Sequence, residues 1–144
     1  MIYQAQPNDL SAVIHLALQL WPDNDAAEFV EEFSHLLSNP DAAVFLARDG
    51  ENAVGFAQCQ LRHDYVEGTE SSPVGYLEGI FVSEPYRRQG YARLLLTACE
   101  VWSKTKGCRE FASDCELTNE ESLHFHLNVG FTEANRIICF TKPL

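Results

Sequence analysis

A mixed α/β domain with its sheet between helices is the fold class the sequence predicts, on three observations. Apolar residues recur at strand and helix spacings in the order β-α-α-β-β-β-α-β-α-β, which packs helices against a sheet. At 144 residues the chain has the length of one domain and can bury about two-thirds of its unfolded surface. A composition of 46% hydrophobic and 22% charged residues, with eight glycines and six prolines, suits a globular chain and excludes a disordered or fibrous one.

The elements follow in order. Ile2 to Gln6 reads as a short strand. Pro7-Asn8-Asp9 stops it and supplies an N-cap for a helix from Leu10 to Leu20, whose Leu10, Val13, Ile14, Ala17 and Leu20, with Trp21, recur three and four apart before Pro22 ends it. A helix from Asp25 to Leu37 carries Phe29, Val30, Phe33, Leu36 and Leu37 on one face and closes at Asn39-Pro40. Ala43 to Arg48 and Val54 to Leu61 are strands joined by Asp49-Gly50-Glu51-Asn52, a hairpin signal that implies antiparallel pairing. After a polar loop over 64–73, Val74 to Val82 is a strand broken by Ser83-Glu84-Pro85. Ala92, Leu95, Leu96, Cys99 and Trp102 mark a long amphipathic helix from Gly90 to Lys106, with Gly107 as its stop. A strand at Glu110 to Asp114, a helix from Asn119 to Asn128 and a final strand from Asn135 to Thr141 complete the order.

Charge is divided unequally. Residues 1–80 hold 13 acids against Arg48 and Arg62, a net of −11, whereas residues 81–144 are neutral. Arg87, Arg88, Arg93, Lys104, Lys106 and Arg109 crowd one window with Glu100 as its only acid. The overall −11 argues against nucleic acid, while a confined basic patch suits one anionic ligand and the acidic half suits a cation. No apolar run reaches the ~18–20 residues of a membrane span, and MIYQAQPND lacks the basic and apolar regions of a signal peptide. A cytoplasmic location without a membrane partner is expected. The five cysteines, with no C-x-x-C pair, read as reduced core thiols and not as a metal site or disulfide framework.

Arg87-Arg88-Gln89-Gly90-Tyr91-Ala92 joins a strand to the start of the long helix. First-turn amides of a helix have no intrahelical acceptor and, with the macrodipole, make a site for a phosphate or pyrophosphate. Gly90 and Ala92 let an anion approach the backbone, and Arg87, Arg88 and Arg93 add positive field. Neither G-x-G-x-x-G nor G-x-x-x-x-G-K-[ST] occurs, which sets other nucleotide-binding folds aside.

Arg87-x-x-Gly90-x-Ala92 resembles the Gln/Arg-x-x-Gly-x-Gly/Ala signature of the GCN5-related N-acetyltransferases, found between that family's fourth strand and third helix. The element order and Val129-Gly130-Phe131 match it too. The resemblance implies a GNAT fold over 1–144, a central, mostly antiparallel mixed sheet flanked by helices. It implies acetyl-CoA as donor and no metal. The pyrophosphate would lie on the amides of Arg88, Gln89, Gly90, Tyr91, Ala92 and Arg93, and the pantetheine arm along Ile80, Phe81 and Val82. Asn119 matches a position that contacts the cofactor from the following helix.

Such a reaction needs an unprotonated amine, a stabilised oxyanion and a protonated thiolate. Glu78 stands two positions before the expected acetyl site, with Tyr76, Glu78 and Ile80 expected on one strand face. It is either a base or an edge carboxylate facing water. Asp114, at the C-terminal end of its strand, either meets a ligand or caps a turn. Leu20-Trp21-Pro22, Arg62-His63-Asp64-Tyr65-Val66, Ser72-Pro73-Val74 and the segments around Glu78 and Asp114 resemble the aminoglycoside 6′-N-acetyltransferases. That resemblance assigns Trp21 and Tyr65 to stacking on sugar rings, and Glu78 and Asp114 to the acceptor's ammonium groups; it also suggests a homodimer. Trp21 equally suits the end of the first helix's apolar face, and Tyr65 a loop staple. Two positions depart from the family pattern. His126 stands where the family often has a tyrosine acid, and is either that acid or a packed ring. Asn135 stands where relatives carry an acid that contacts the acceptor. Acetylation of another amine, such as a polyamine or a protein N-terminus, and a CoA-binding module without turnover are the alternatives.

Overall fold

The computed structural model describes residues 1–144. Five strands form one sheet in the order β1-β2-β3-β4-β5: β1 Ile2–Gln4, β2 Ala42–Asp49, β3 Asn52–Arg62, β4 Val74–Val82 and β5 Phe111–Ser113. β1 to β4 pair antiparallel and β5 joins β4 in parallel. Helices α1 Leu10–Leu20, α2 Ala26–Ser38, α3 Tyr91–Thr105 and α4 Glu120–Asn128 complete the chain. The mixed sheet between helices is therefore formed as expected.

Strand alternation sorts the apolar residues to two faces. Phe45 and Ala47 of β2 face Leu95, Leu96, Cys99 and Trp102 of α3, while Val44 and Leu46 face Val13, Leu16 and Ala17 of α1 and Phe29 and Phe33 of α2. Asp25 caps α2 by accepting the Ala27 N–H at 3.1 Å. Leu16, fully buried, belongs to the same α1 face, three residues after Val13 and four before Leu20.

Three expectations need correction. The first strand ends at Gln4, because a 3-10 turn begins at Pro7 and the Asp9 carboxylate accepts the Gln6 N–H at 2.9 Å. No final strand forms over Asn135 to Thr141: the segment lies outside the sheet, and Ile137, Ile138 and Phe140 are exposed. Finally, Cys59, Cys99 and Cys108 are buried as core thiols, but Cys115 and Cys139 are exposed. No helix is long and apolar enough to cross a membrane.

One irregularity positions the site. Gln58 pairs with Gly79 and Cys59 with Leu77, so Glu78 is the extra residue of a bulge on β4. A bulge resets alternation and re-aims a side chain. Leu77, Ile80 and Val82 consequently pack on the α3 side, whereas Tyr76 packs with Val66 and Val74 on the other. The expected common face of Tyr76, Glu78 and Ile80 is not formed; Tyr76 and Glu78 share a face without Ile80.

Candidate active site

The turn from β4 to α3 is built as an anion cradle. Arg88 and Gly90 both take left-handed backbone, at φ +62° and +89°, and Gly90 is the N-cap of α3. The six amides of residues 88–93 donate to no protein acceptor. Consecutive N–H groups left free at a helix N-terminus bind phosphate groups. A Cβ placed on Gly90 would meet nothing within 4 Å, so the space before these amides is open. Arg87 straps the turn to the sheet: its Nε donates to the Val82 carbonyl at 2.9 Å and its guanidinium lies 5.7 Å from the Phe81 ring centre. Arg93 Nη2 donates to the Asn128 carbonyl at 3.3 Å and so ties α3 to the end of α4. Arg88 is exposed and unpaired by any carboxylate, which leaves its charge available to an anion.

The sheet opens beside this cradle. β5 accompanies β4 only from Gly75↔Phe111 to Leu77↔Ser113. Beyond Leu77 the residues of β4, including Ile80, Phe81 and Val82, have no strand on that side, and an extended chain can hydrogen-bond along them. At the mouth of this split, Ser113 Oγ lies 2.8 Å from His126 Nε2 and 3.4 Å from the Leu77 carbonyl. The cradle and the split together fit the pyrophosphate and pantetheine of a coenzyme A thioester.

On the opposite side of β4, two carboxylates are joined through an aromatic ring. The Tyr76 hydroxyl donates a short hydrogen bond to Asp114. Burial, followed by this bond to the Asp114 carboxylate, pushes the Tyr76 phenol well above its ordinary range. Arg62 lies over the same ring, its guanidinium carbon 3.4 Å from the centroid, and donates to both oxygens of Glu78 at 3.0 Å. Trp21 closes the adjacent wall. Its ring crosses Gly79 so tightly that a Cβ there would lie 2.6 Å from Cη2, and it packs edge-on to Phe29 and Phe56 at 6.0 Å. Trp21 thus completes the α1 core, as its place at the end of the first helix's apolar face has it, and remains partly exposed. Tyr65 is 76% exposed and staples nothing; its neighbour Val66 is the anchor, packing on Tyr76 and Val74.

Two further candidates take local roles. Asn119 caps α4 by accepting the Ser122 N–H at 3.1 Å, and its amide N–H groups stay free. Asn135 donates to Glu67 at 2.8 Å, which holds the C-terminal segment against the 64–73 loop. That loop is fastened at its other end by Glu110, whose carboxyl is held below the usual range chiefly by the Ser71 hydroxyl and next by the Glu70 N–H. No three His, Cys, Asp or Glu side chains gather as a metal site. A cavity of about 420 Å³ lies at the C-terminal end of α3, against Asn39, Trp102 and Lys106, roughly 20 Å along the helix from the free amides.

Sequence reasoning assigned no role to Arg62, Ser113 or Tyr76. Arg62 carried a signal, being one of two bases among the first 80 residues. Ser113 and Tyr76 gave none, because their partners His126 and Asp114 are 13 and 38 residues away.

A bulged strand, a split sheet and a cradle of free amides are the working parts of an acyl-group transferase. The family described as the acetyltransferase (GNAT) family matches residues 10–131, and the chain belongs to it. The chain is 46% identical over 145 residues to the aminoglycoside N(6′)-acetyltransferase type 1 of Stenotrophomonas maltophilia, covering 99% of this chain and 93% of that one. Its counterpart in Serratia marcescens is 39% identical, with 100% and 99% covered. The structure of AAC(6′)-Iy in complex with the bisubstrate analogue CoA-S-monomethyl-acetylneamine matches with a TM-score of 0.97 at 38% identity, covering 100% of this chain and 98% of that one.

Proposed function

We propose that this chain transfers acetyl from acetyl-CoA directly to the 6′-amine of aminoglycosides, without a covalent enzyme intermediate and without a metal. The carrying observation is the bulge at Glu78, which puts a carboxylate on the acceptor side of β4 within two residues of the open edge that suits the thioester. Full-length similarity to aminoglycoside N(6′)-acetyltransferases at 46% and 39% identity supports the acceptor class.

The amides of residues 88–93 bind the pyrophosphate under the field of Arg88, and the free edge of Ile80, Phe81 and Val82 orders the pantetheine arm. Trp21 and Tyr65 offer aromatic faces to the sugar rings, and Glu78 and Asp114 hold ammonium groups. Glu78, through a water, takes the proton that makes the 6′-nitrogen nucleophilic. Backbone N–H groups of the Ile80–Val82 edge hold the oxyanion. In its protonated form His126 donates from Nε2 to Ser113 while the Ser113 hydroxyl gives its own hydrogen to the departing thiolate, so that the serine is left neutral. Asn119 adds cofactor contacts from the start of α4, and Asn135 an acceptor contact at the rim.

The working unit is a single domain over 1–144 in the cytoplasm, and it is a homodimer. Support for the dimer is the segment around Ile137, Ile138 and Phe140, β-forming in sequence and exposed here, together with a three-residue edge strand, β5, that has no outer neighbour. Sedimentation should give twice the chain mass, and a monomer at micromolar concentration would remove this part. The activity is tested by mass spectrometry of an aminoglycoside and polyamine panel incubated with acetyl-CoA. Mono-acetylated aminoglycosides modified at the 6′-nitrogen are expected. Acetylated polyamines alone, or CoA release with no acetylated product, would overturn it.

A further inference from the structure

We propose that Arg62 is the chain's own occupant of the acceptor's ammonium subsite, a specificity-determining residue that a polycation displaces and a monoamine does not. The inference deepens the aminoglycoside reading above and rests on it for the location of that subsite. Arg62, the last residue of β3, offers what a bound ammonium offers. It is a cation 3.4 Å above an aromatic ring, with N–H donors 3.0 and 3.2 Å from Glu78. No other carboxylate engages it. Arg48, the other base of the acidic half, is held elsewhere by Tyr3, Asp9 and the Glu51 carbonyl.

The arrangement is poorly suited to being only a clamp. The two side chains are 42% and 24% exposed, and ion pairs of this exposure add little to folding stability. Displacement therefore costs the fold little. A monoamine that takes Glu78 from Arg62 exchanges one cation for another and forfeits the guanidinium's two-oxygen contact. An acceptor with several ammonium groups gains more. One group replaces Arg62 at Glu78, and a second reaches Asp114, which the Tyr76 ring links to the same surface. Arg62 so sets a threshold in the number of positive charges an acceptor must carry.

The test compares wild type, Arg62→Gln and Arg62→Lys, with kinetics and calorimetric binding for kanamycin and for an isolated 2-aminomethyl-tetrahydropyran, which carries one amine. In Arg62→Gln the monoamine's KM and Kd should fall about fivefold or more, the worth of one such contact, while those for kanamycin change less, so that the preference for the polycation shrinks. Arg62→Lys, which keeps the charge, should retain most of the wild-type preference. A rise in Kd for both acceptors in Arg62→Gln would overturn the proposal and make Arg62 a holder of Glu78. A lysine variant indistinguishable from the glutamine variant would overturn the charge argument as well. Failure of the wild type to acetylate kanamycin would instead strike the underlying function, which separates the two.

Discussion

Nε2 of His126 lies 2.8 Å from the Ser113 hydroxyl, while its Nδ1 lies 2.7 Å from the Ser122 carbonyl. A carbonyl only accepts, so Nδ1 carries a hydrogen and Nε2 is the ring atom turned to Ser113. The α4 residue thereby meets the end of β5 where the strands separate, and Ser113 is the link between the ring and the split. His126 therefore meets the split through the Ser113 hydroxyl and not directly.

If that path protonates the thiolate, His126→Gln and Ser113→Ala should each lower kcat by about 10- to 100-fold, and the double variant should lose little more than the worse single one, as residues acting as one unit do. Pre-steady-state and steady-state rates on one aminoglycoside decide this. Independent, multiplying losses would mean the two do not share a proton.

Gly90 tests the cradle. Its φ of +89° and the empty space before its Cβ mean that Gly90→Val both strains the turn and intrudes where the anion sits. Gly107, at φ +88° with similarly open surroundings, lies past the far end of α3 and controls for strain. Calorimetry should show acetyl-CoA affinity falling at least about tenfold, or about 1.4 kcal/mol, in Gly90→Val and staying near wild type in Gly107→Val. Equal losses in the two would place the effect in backbone strain.

The cradle, the helices and all five strands of the sheet lay open in the sequence because each depends on local chemistry: periodicity, caps, Pro and Gly stops. The Arg87-x-x-Gly90-x-Ala92 run even located the free amides. What stayed hidden depends on pairing. A one-residue bulge is set by how β3 and β4 register, and no spacing in Tyr76-Leu77-Glu78-Gly79-Ile80 reveals that Ile80 turns to the α3 side. The contact of Arg62 with Glu78 follows from the same register. The segment 135–141 shows the converse error. Its β-forming residues are real, but a strand needs a neighbour, and within one chain β5 does not provide one.

Tyr76 carries a pH signature. Burial and the Asp114 bond keep its phenol protonated above the ordinary value of about 10. A pKa raised in the folded state gives stability that is fully present below the unfolded pKa and is lost as pH rises toward the folded one. Wild type should therefore lose stability above about pH 10 more steeply than Tyr76→Phe, which lacks the ionising group. Ultraviolet titration checks it, because the absorbance difference between the two proteins should develop only above the ordinary phenol range. A difference that titrates near pH 10 would mean that neither burial nor the Asp114 bond holds the phenol in solution.

Glu78→Gln keeps the size and the bulge but removes the charge that would accept the acceptor's proton. Turnover should fall by about 10²-fold or more at neutral pH, the range of general-base catalysis, with acetyl-CoA affinity nearly constant. The structure adds a second consequence. Arg62, released from its two-oxygen contact, leaves an uncompensated guanidinium over Tyr76, so acceptor KM should rise as well. Combining Arg62→Gln with Glu78→Gln should recover much of the KM and none of the turnover, which separates charge repulsion from proton transfer in one cycle. Raising the pH should restore part of the single variant's rate, because more of the amine then arrives neutral and the base has less to do. The pH-rate profiles of the four proteins are the measurement. Wild-type turnover in Glu78→Gln across the whole range would end the base assignment and leave the carboxylate a binding group, with bulk water or Asp114 as the next proton acceptor to test.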